Sequence, residues 1–353
     1  MARATPPISP TQAGRTAPTA PTPGDRGPIA AVVRALVGLL VATFAVTVQA
    51  QAGSDYPTRS VLMIVPFPPG GGTDSSARLV AQKLSEAWKQ QVVVENRGGA
   101  AGIVGVELVA RARPDGYTLL VGNVGTQAIN TSLYRKLSYD SQRDFEPISL
   151  ISELPIVLMA TPSLPVKSVS ELVALAKAEP GKYTAASSGI GNSTHLALEI
   201  FQAAAGVRFT HVPYKGGSQA AADVMAGHAH IQFDSVLGST TRIGSGKVKA
   251  LAVASKARAA ALPNVPTMAE AGIADAEMGS WVGLLAPKGT PAAVVDRIAA
   301  DIRTAVSRAD LQAIFTEQGA TPRSTTPAEF GRIIGEDTRR FAELIKRLGI
   351  AME

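Results

Sequence analysis

Three observations predict an α/β fold. Short apolar runs rich in β-formers alternate with segments of helical period along most of the chain. Loops rich in glycine and hydroxyl residues join several of these strands to the helices that follow. Of the 353 residues, 46% are apolar, enough to offset the entropy of ordering and to build about two domains.

The first fifty residues stand apart from that pattern. Residues 1–28 hold seven prolines and three arginines, which excludes a regular helix. Residues 35–48 form an apolar run of 14 residues, short of the roughly 20 needed to span a bilayer. Behind a basic segment, such a run fits the core of a secretory signal peptide. Ala50-Gln51-Ala52 supplies the small-residue pattern for cleavage after Ala52, with Val48-Gln49-Ala50 as a second site. An uncleaved anchor is the alternative. An exported chain without cysteine points to the bacterial periplasm.

Several function classes drop out on composition. With no cysteine there is no thiolate chemistry, disulfide scaffold, iron–sulfur cluster or Cys-type zinc site. Four histidines without an HExxH pattern give no zinc hydrolase, and no metal site is expected. Beyond residue 52 the chain carries 30 basic and 27 acidic residues, and no run of Lys/Arg exceeds two. Nucleic-acid binding therefore has no support.

The elements follow in order. Val61–Val65 reads as a buried strand, residues 74–90 as a helix, and residues 92–94 as a second strand. Residues 102–112 are helical in pattern and end at the turn Pro114-Asp115-Gly116, before a strand over 117–121. This β-α-β-α-β rhythm predicts a parallel sheet with covering helices. After a less regular stretch come a strand over 156–160 and a helix over 168–178, opened by a capping box of Ser168 and Glu171. Then follow a strand at 183–186, a helix at 193–205, a strand at 208–212 and a helix at 218–226. Strands are expected at 230–234, 250–254 and 281–286, and a helix at 291–307 with proline in its first turn. The last helix, about 328–348, gathers Phe330, Ile333, Ile334, Phe341, Leu344, Ile345 and Leu348 on one face that must pack on a domain. No Gly/Ser linker divides the chain, so it is expected to cross between two domains near 154–162 and 255–280. Residues 53–154 and 271–353 would form domain 1, with residues 155–270 inserted as domain 2.

Two loops invite an anion. Pro66-Phe67-Pro68-Pro69-Gly70-Gly71-Gly72-Thr73-Asp74 leaves a strand and opens a helix. Its glycines let backbone N–H groups face a ligand, Thr73 or Asp74 is placed to cap the helix, and the helix dipole favours negative charge. The second loop, Ser187-Ser188-Gly189-Ile190-Gly191-Asn192-Ser193-Thr194-His195, occupies the same kind of position. Neither is a P-loop, and the second lacks the last glycine of a dinucleotide fingerprint. The first loop is equally read as a tight turn in which glycine serves geometry alone. Two such loops suggest a ligand clamped between domains. Asp234 ends a strand where it is able to meet a ligand, or to serve as a cap. Arg97 and Lys215 read as solvated surface charges. There is no G-x-S-x-G elbow, and Ser193 and His195 sit two apart on one helix, so catalysis is not expected. The rival is an exported α/β enzyme that uses the glycine-rich loops for a phosphate or nucleotide.

Six segments in this order carry a resemblance. They are Tyr56-Pro57 before the first strand, the Pro66 to Asp74 loop, Val94-Glu95-Asn96-Arg97-Gly98-Gly99-Ala100, Pro114-Asp115-Gly116-Tyr117-Thr118-Leu119-Leu120, His211-Val212-Pro213-Tyr214-Lys215-Gly216 and Leu284-Leu285-Ala286-Pro287-Lys288-Gly289-Thr290-Pro291. In them the chain resembles the Bug-type (TctC-type) periplasmic solute receptors of tripartite tricarboxylate transport. The resemblance implies a two-domain periplasmic binding protein fold, type II-like, with the ligand cleft between domains that close as a hinged clamp. It implies a small carboxylate, whether a di- or tricarboxylate, an acidic amino acid or an aromatic acid, held through backbone N–H groups and ordered water. Carried over, the ligand residues are Phe67, Gly70, Thr73 and Asp74 in the first loop and Ser188, Gly189, Asn192, Ser193, Thr194 and His195 in the second. Asp234, Thr126 and Gln127 complete the set. The resemblance further implies a monomer without cofactor, a carboxylate as ligand, and permease subunits or a sensor-kinase ectodomain as partners.

Overall fold

The structure, a computed structural model, describes residues 56–350. The Pro-rich leader, the signal segment and the cleavage site after Ala52 lie outside the described residues. The strands are β1 (Val61–Val65), β2 (Val92–Asn96), β3 (Thr118–Asn123), β4 (Phe145–Ala160), β5 (Thr184–Ser187), β6 (Thr210–Pro213), β7 (Ile231–Ser235), β8 (Lys249–Val253), β9 (Gly279–Pro287) and β10 (Thr321–Pro322). They form one sheet in the order β2-β1-β3-β9-β4-β7-β5-β6, with β8 and β10 each paired to β4.

Side-chain alternation along the strands sets the layers. Met63 and Val65 of β1, Leu119 and Val121 of β3, and Leu284 and Ala286 of β9 turn to one face. There they meet Ala77, Val80 and Leu84 of helix Gly72–Trp88 and Val294, Ile298 and Ile302 of helix Ala292–Val306. Ile64, Leu120 and Leu285 turn to the other face, towards Val106 and Val109 of helix Ile103–Ala110. Phe330, Ile334, Phe341 and Ile345 of helix Pro327–Leu348 join that second core, while Ile333, Leu344 and Leu348 stay partly buried at its margin. Each fully buried side chain of this size contributes about 1.5–3 kcal/mol.

The first three strands are parallel as expected, but the sheet as a whole is mixed. Two parallel triplets are present, β2-β1-β3 and β6-β5-β7. Between them β9 and β4 run antiparallel to each other and to their neighbours. The chain reaches β9 through the irregular residues 254–278, and an antiparallel strand needs no helical crossover. The last part of the less regular stretch before residue 156 belongs to β4: residues 145–155 pair with β9 and residues 156–160 with β7. Register shifts at Pro147/Ser149 and Leu150/Ser152 break the alternation that would have betrayed this strand.

Other boundaries moved by a few residues. Ser168 accepts the Glu171 N–H at 3.2 Å, but the Glu171 carboxylate returns to the Lys167 N–H at 2.6 Å, so the capping box closes one residue early. Pro291 is the N-cap of its helix and not a first-turn residue. Helices Val236–Gly244 and Ala309–Glu317 and a π-turn over Gly125–Ile129 were not expected. The first of these, VLGSTTRIG, is built largely from poor helix formers. Among the described residues no helix is long and apolar enough to cross a membrane.

Candidate functional site

A cavity of about 50 Å³ lies where the carboxyl ends of both strand triplets meet. Four helices point their N-termini at it. Gly71 and Gly72 begin helix Gly72–Trp88, and Asn192 and Ser193 begin helix Ser193–Ala205. Gly217 begins helix Gly217–Ala226, and Ser235 caps helix Val236–Gly244. The first N–H groups of a helix lack intrahelical acceptors, and each such end carries roughly half a positive charge. Among the described residues the lining holds no lysine, arginine or histidine. What faces an occupant is a set of uncharged donors, two carboxylates, and the apolar Phe67, Pro68, Leu154 and Ile156.

The first loop corrects two expectations. Helix Gly72–Trp88 starts inside the glycine run, with Gly71 as N-cap, so neither Thr73 nor Asp74 caps it. Asp74 lines the cavity, but its carboxylate is already engaged. It accepts the Gly70 N–H at 2.9 Å, the Asn96 amide at 2.8 Å and the Arg78 guanidinium at 3.0 Å. Asp74 therefore clamps the turn that aims the helix start. Gly70 itself sits behind, at φ 84° with its N–H on Asp74, and does not line the cavity.

The second loop is tied in the same way. Thr194 Oγ1 accepts the Ser188 N–H at 2.9 Å and pairs with Ser188 Oγ at 2.7 Å. Asn192 Oδ1 accepts the Ser193 N–H at 2.7 Å. Ser188, Asn192, Ser193 and Thr194 all line the cavity; Gly189 and His195 do not. His195 is held behind the loop: its Nδ1 accepts the Gly191 N–H at 3.2 Å and its ring stacks on His211 at 4.2 Å. Burial and the neighbouring His195 push the His211 imidazole down to about 4, and Ser187 Oγ lies 2.7 Å from its Nε2.

Thr126 and Gln127 are also absent from the lining. The π-turn follows directly on β3 and tucks Thr126 under Asn123, whose Oδ1 accepts the Thr126 N–H at 3.0 Å. Asn123 takes the wall position instead, with its Nδ2 3.4 Å from Thr73 Oγ1. Asp234, at the end of β7, lines the cavity and is 4% exposed. Its Oδ1 accepts the Ser235 N–H at 2.8 Å, and Oδ2 has only a long contact of 3.4 Å from Ser239 Oγ. Burial pushes its carboxyl up to about 6, against the opposing pull of the Ser235 N–H, the Arg242 charge and Ser239.

Of the residues expected at a ligand, Phe67, Thr73, Asp74, Ser188, Asn192, Ser193, Thr194 and Asp234 meet at one cavity. Gly217 joins them from the flexible turn after the strand at 208–212, and Asn123, Ser235 and Ser280 join without having been singled out as ligand residues. Ser235 had a faint signal, a hydroxyl residue directly after a strand end; Ser280 had none. Arg97 pairs with Glu95, and Lys215 is exposed. Among the described residues no cluster is suited to a metal ion.

Comparison with known proteins gives the chain its family. The profile of a family described as "Tripartite tricarboxylate transporter family receptor" matches residues 76–350. Protein BugT of Bordetella pertussis is 34% identical over 320 residues, covering 90% of this chain and 98% of BugT. Rpa4515 of R. palustris, whose structure is described as "with adipate", superposes with a TM-score of 0.82 at 35% identity, covering 84% of this chain and 99% of that one. MatC from Rhodopseudomonas palustris, described as "with bound malate", gives 0.78 at 31% identity over 82% of this chain and 100% of that one. With a matched profile over most of its length and relatives aligned nearly end to end, the chain belongs to the tripartite tricarboxylate transporter family of receptors, the periplasmic solute-binding proteins of the TctC and Bug kind.

Proposed function

We propose that this receptor captures a small dicarboxylate between its two halves and presents it, unchanged, to a membrane permease. The observation that carries the reading is the convergence of four helix N-termini on a cavity with no cationic side chain. Such a site suits an anion that is bound by N–H groups, hydroxyls and trapped water. Adipate and malate, named for the two R. palustris proteins, support the dicarboxylate class.

The domain reading belongs to the same proposal. Residues 53–154 and 271–353 form one half and residues 155–270 the other, with β4 and the chain before β9 as the hinge. Ser218 Oγ donates to the Pro69 carbonyl at 3.0 Å, a contact that joins the halves beside the cavity. The leader is read as a signal peptide that is removed on export. Delivery to a sensor kinase is the alternative use of the same capture step.

Calorimetric titration of the purified protein with malate, adipate, succinate and matched monocarboxylates tests the reading. Saturable binding of a dicarboxylate, with the ligand recovered unaltered, supports it. Turnover of the ligand, or binding of phosphates and nucleotides alone, would overturn it.

A further inference from the structure

We propose that Asp234 shares a proton with the second carboxyl group of the ligand, so that each dicarboxylate captured carries one proton into the closed site. The inference rests on the dicarboxylate reading above and adds a rule for which charge state is taken. It starts from a buried group with too few partners. Asp234 is 4% exposed and lines the cavity, yet one of its oxygens has only a 3.4 Å contact. A carboxylate has about four acceptor positions to fill, and here two donors address it.

The surroundings leave a ligand as the remaining partner. Gly217 stands against the carboxylate, where an added β-carbon would be 2.8 Å from Oδ1. From β4 the register partner is Val157, and Leu154 and Ile156 complete that wall. The charged groups nearby are Arg242 on the following helix and, across the cavity, Asp74 with its partner Arg78. His195, His211 and Glu199 form a separate cluster behind the second loop. No cation lines the cavity to neutralise Asp234.

Charge counting then favours the shared proton. Four helix N-termini offer about two positive charges in all, on the scale of half a charge each. With Asp74 set against Arg78, an ionised Asp234 cancels one and leaves a match for a single carboxylate. Asp234 lines the one cavity that has to take both ends of a small dicarboxylate, so the second carboxylate comes near it. Two ionised carboxylates at such range cannot coexist, and one proton between them turns the repulsion into a hydrogen bond. Burial already draws the Asp234 carboxyl up to about 6 before any ligand arrives, which brings its protonation closer to neutral pH.

The test is calorimetry of the purified protein with adipate and malate from pH 5.5 to 8.5, in buffers of different ionisation enthalpy. Adipic acid monoamide, equal in length with one charge, runs in parallel. The dicarboxylates should lose about tenfold in affinity per pH unit on the alkaline side, with uptake approaching one proton per ligand. The monoamide should be nearly flat, and Asp234→Asn should bind dicarboxylate with neither slope nor uptake. Flat dicarboxylate affinity without proton uptake would overturn the inference and leave the receptor reading intact. So would binding of glutamate or aspartate that tightens as pH rises, because Asp234 would then be meeting an ammonium group. Failure of every dicarboxylate at pH 5.5 would overturn both.

Discussion

Gly72 of the first loop lies directly against Ser235 at the end of β7. A β-carbon on Gly72 would stand 2.4 Å from Ser235 Oγ and 2.9 Å from Leu154 Cδ1. This is the closest approach of the two sides of the cavity that a single methyl group would test. Gly72→Ala should cost about 1–3 kcal/mol of the closed arrangement. Ligand affinity should drop by roughly 5- to 150-fold, measured by calorimetry. Gly71→Ala is the comparison: its added carbon meets nothing within 4 Å, and its melting temperature should equal that of the parent.

Asp74 and Ser193 line the same cavity for different reasons, and their variants should part accordingly. Asp74→Ala strands the Gly70 N–H, the Asn96 amide and the Arg78 guanidinium. It should lower the stability of the empty protein by about 1–3 kcal/mol and weaken binding with it. Ser193→Ala removes a hydroxyl whose one protein acceptor is its neighbour Asn192 at 3.1 Å. Urea unfolding of the empty protein should change by less than about 0.5 kcal/mol, while affinity still falls.

Asn192→Ala removes the cap of helix Ser193–Ala205. Stability should fall by about 1 kcal/mol, and the Ser193 N–H loses its acceptor at the cavity wall. Asn192→Asp keeps the cap but adds negative charge. Its melting temperature should stay near the parent value while carboxylate affinity drops by tenfold or more.

Asp234 sets a pH dependence of stability opposite to that of a salt-bridged carboxylate. Its carboxyl titrates at about 6 in the folded chain because of burial, against ~3.9 when unfolded. Between those values the folded state holds the extra proton, so stability falls as pH rises through the window. Asp234→Asn should therefore change little at pH 4 and stabilise by up to about 3 kcal/mol above pH 7. Denaturant unfolding at the two pH values reads this directly. A residue that destabilises the empty protein when charged is what a binding site retains for its ligand.

Strong local patterns were legible in the sequence. β1 and helix Ser193–Ala205 fall on the expected residues, because an uninterrupted apolar run and an Asn cap before a periodic segment are local signals. The glycine-rich loop, the second loop and Asp234 at a strand end were readable for the same reason. What escaped depends on tertiary geometry. The first eleven residues of β4 are disguised by two register shifts. Asn123 outranks Thr126 and Gln127 because a π-turn folds those two under the strand end. Helix Val236–Gly244 is held by its Ser235 cap and by packing more than by propensity. The need for glycine at position 72 comes from Ser235, 163 residues away in the chain, and no local pattern announces it.

Backbone amide shifts measured by NMR during titration with adipate or malate test the central claim most directly. If a carboxylate is held by helix N-termini, the largest changes should fall on the N–H groups of Gly72, Thr73, Thr194 and Gly217, with downfield movement as each gains an acceptor. Shifts confined to other surfaces, or centred on exposed lysines and arginines with these four unmoved, would contradict the account.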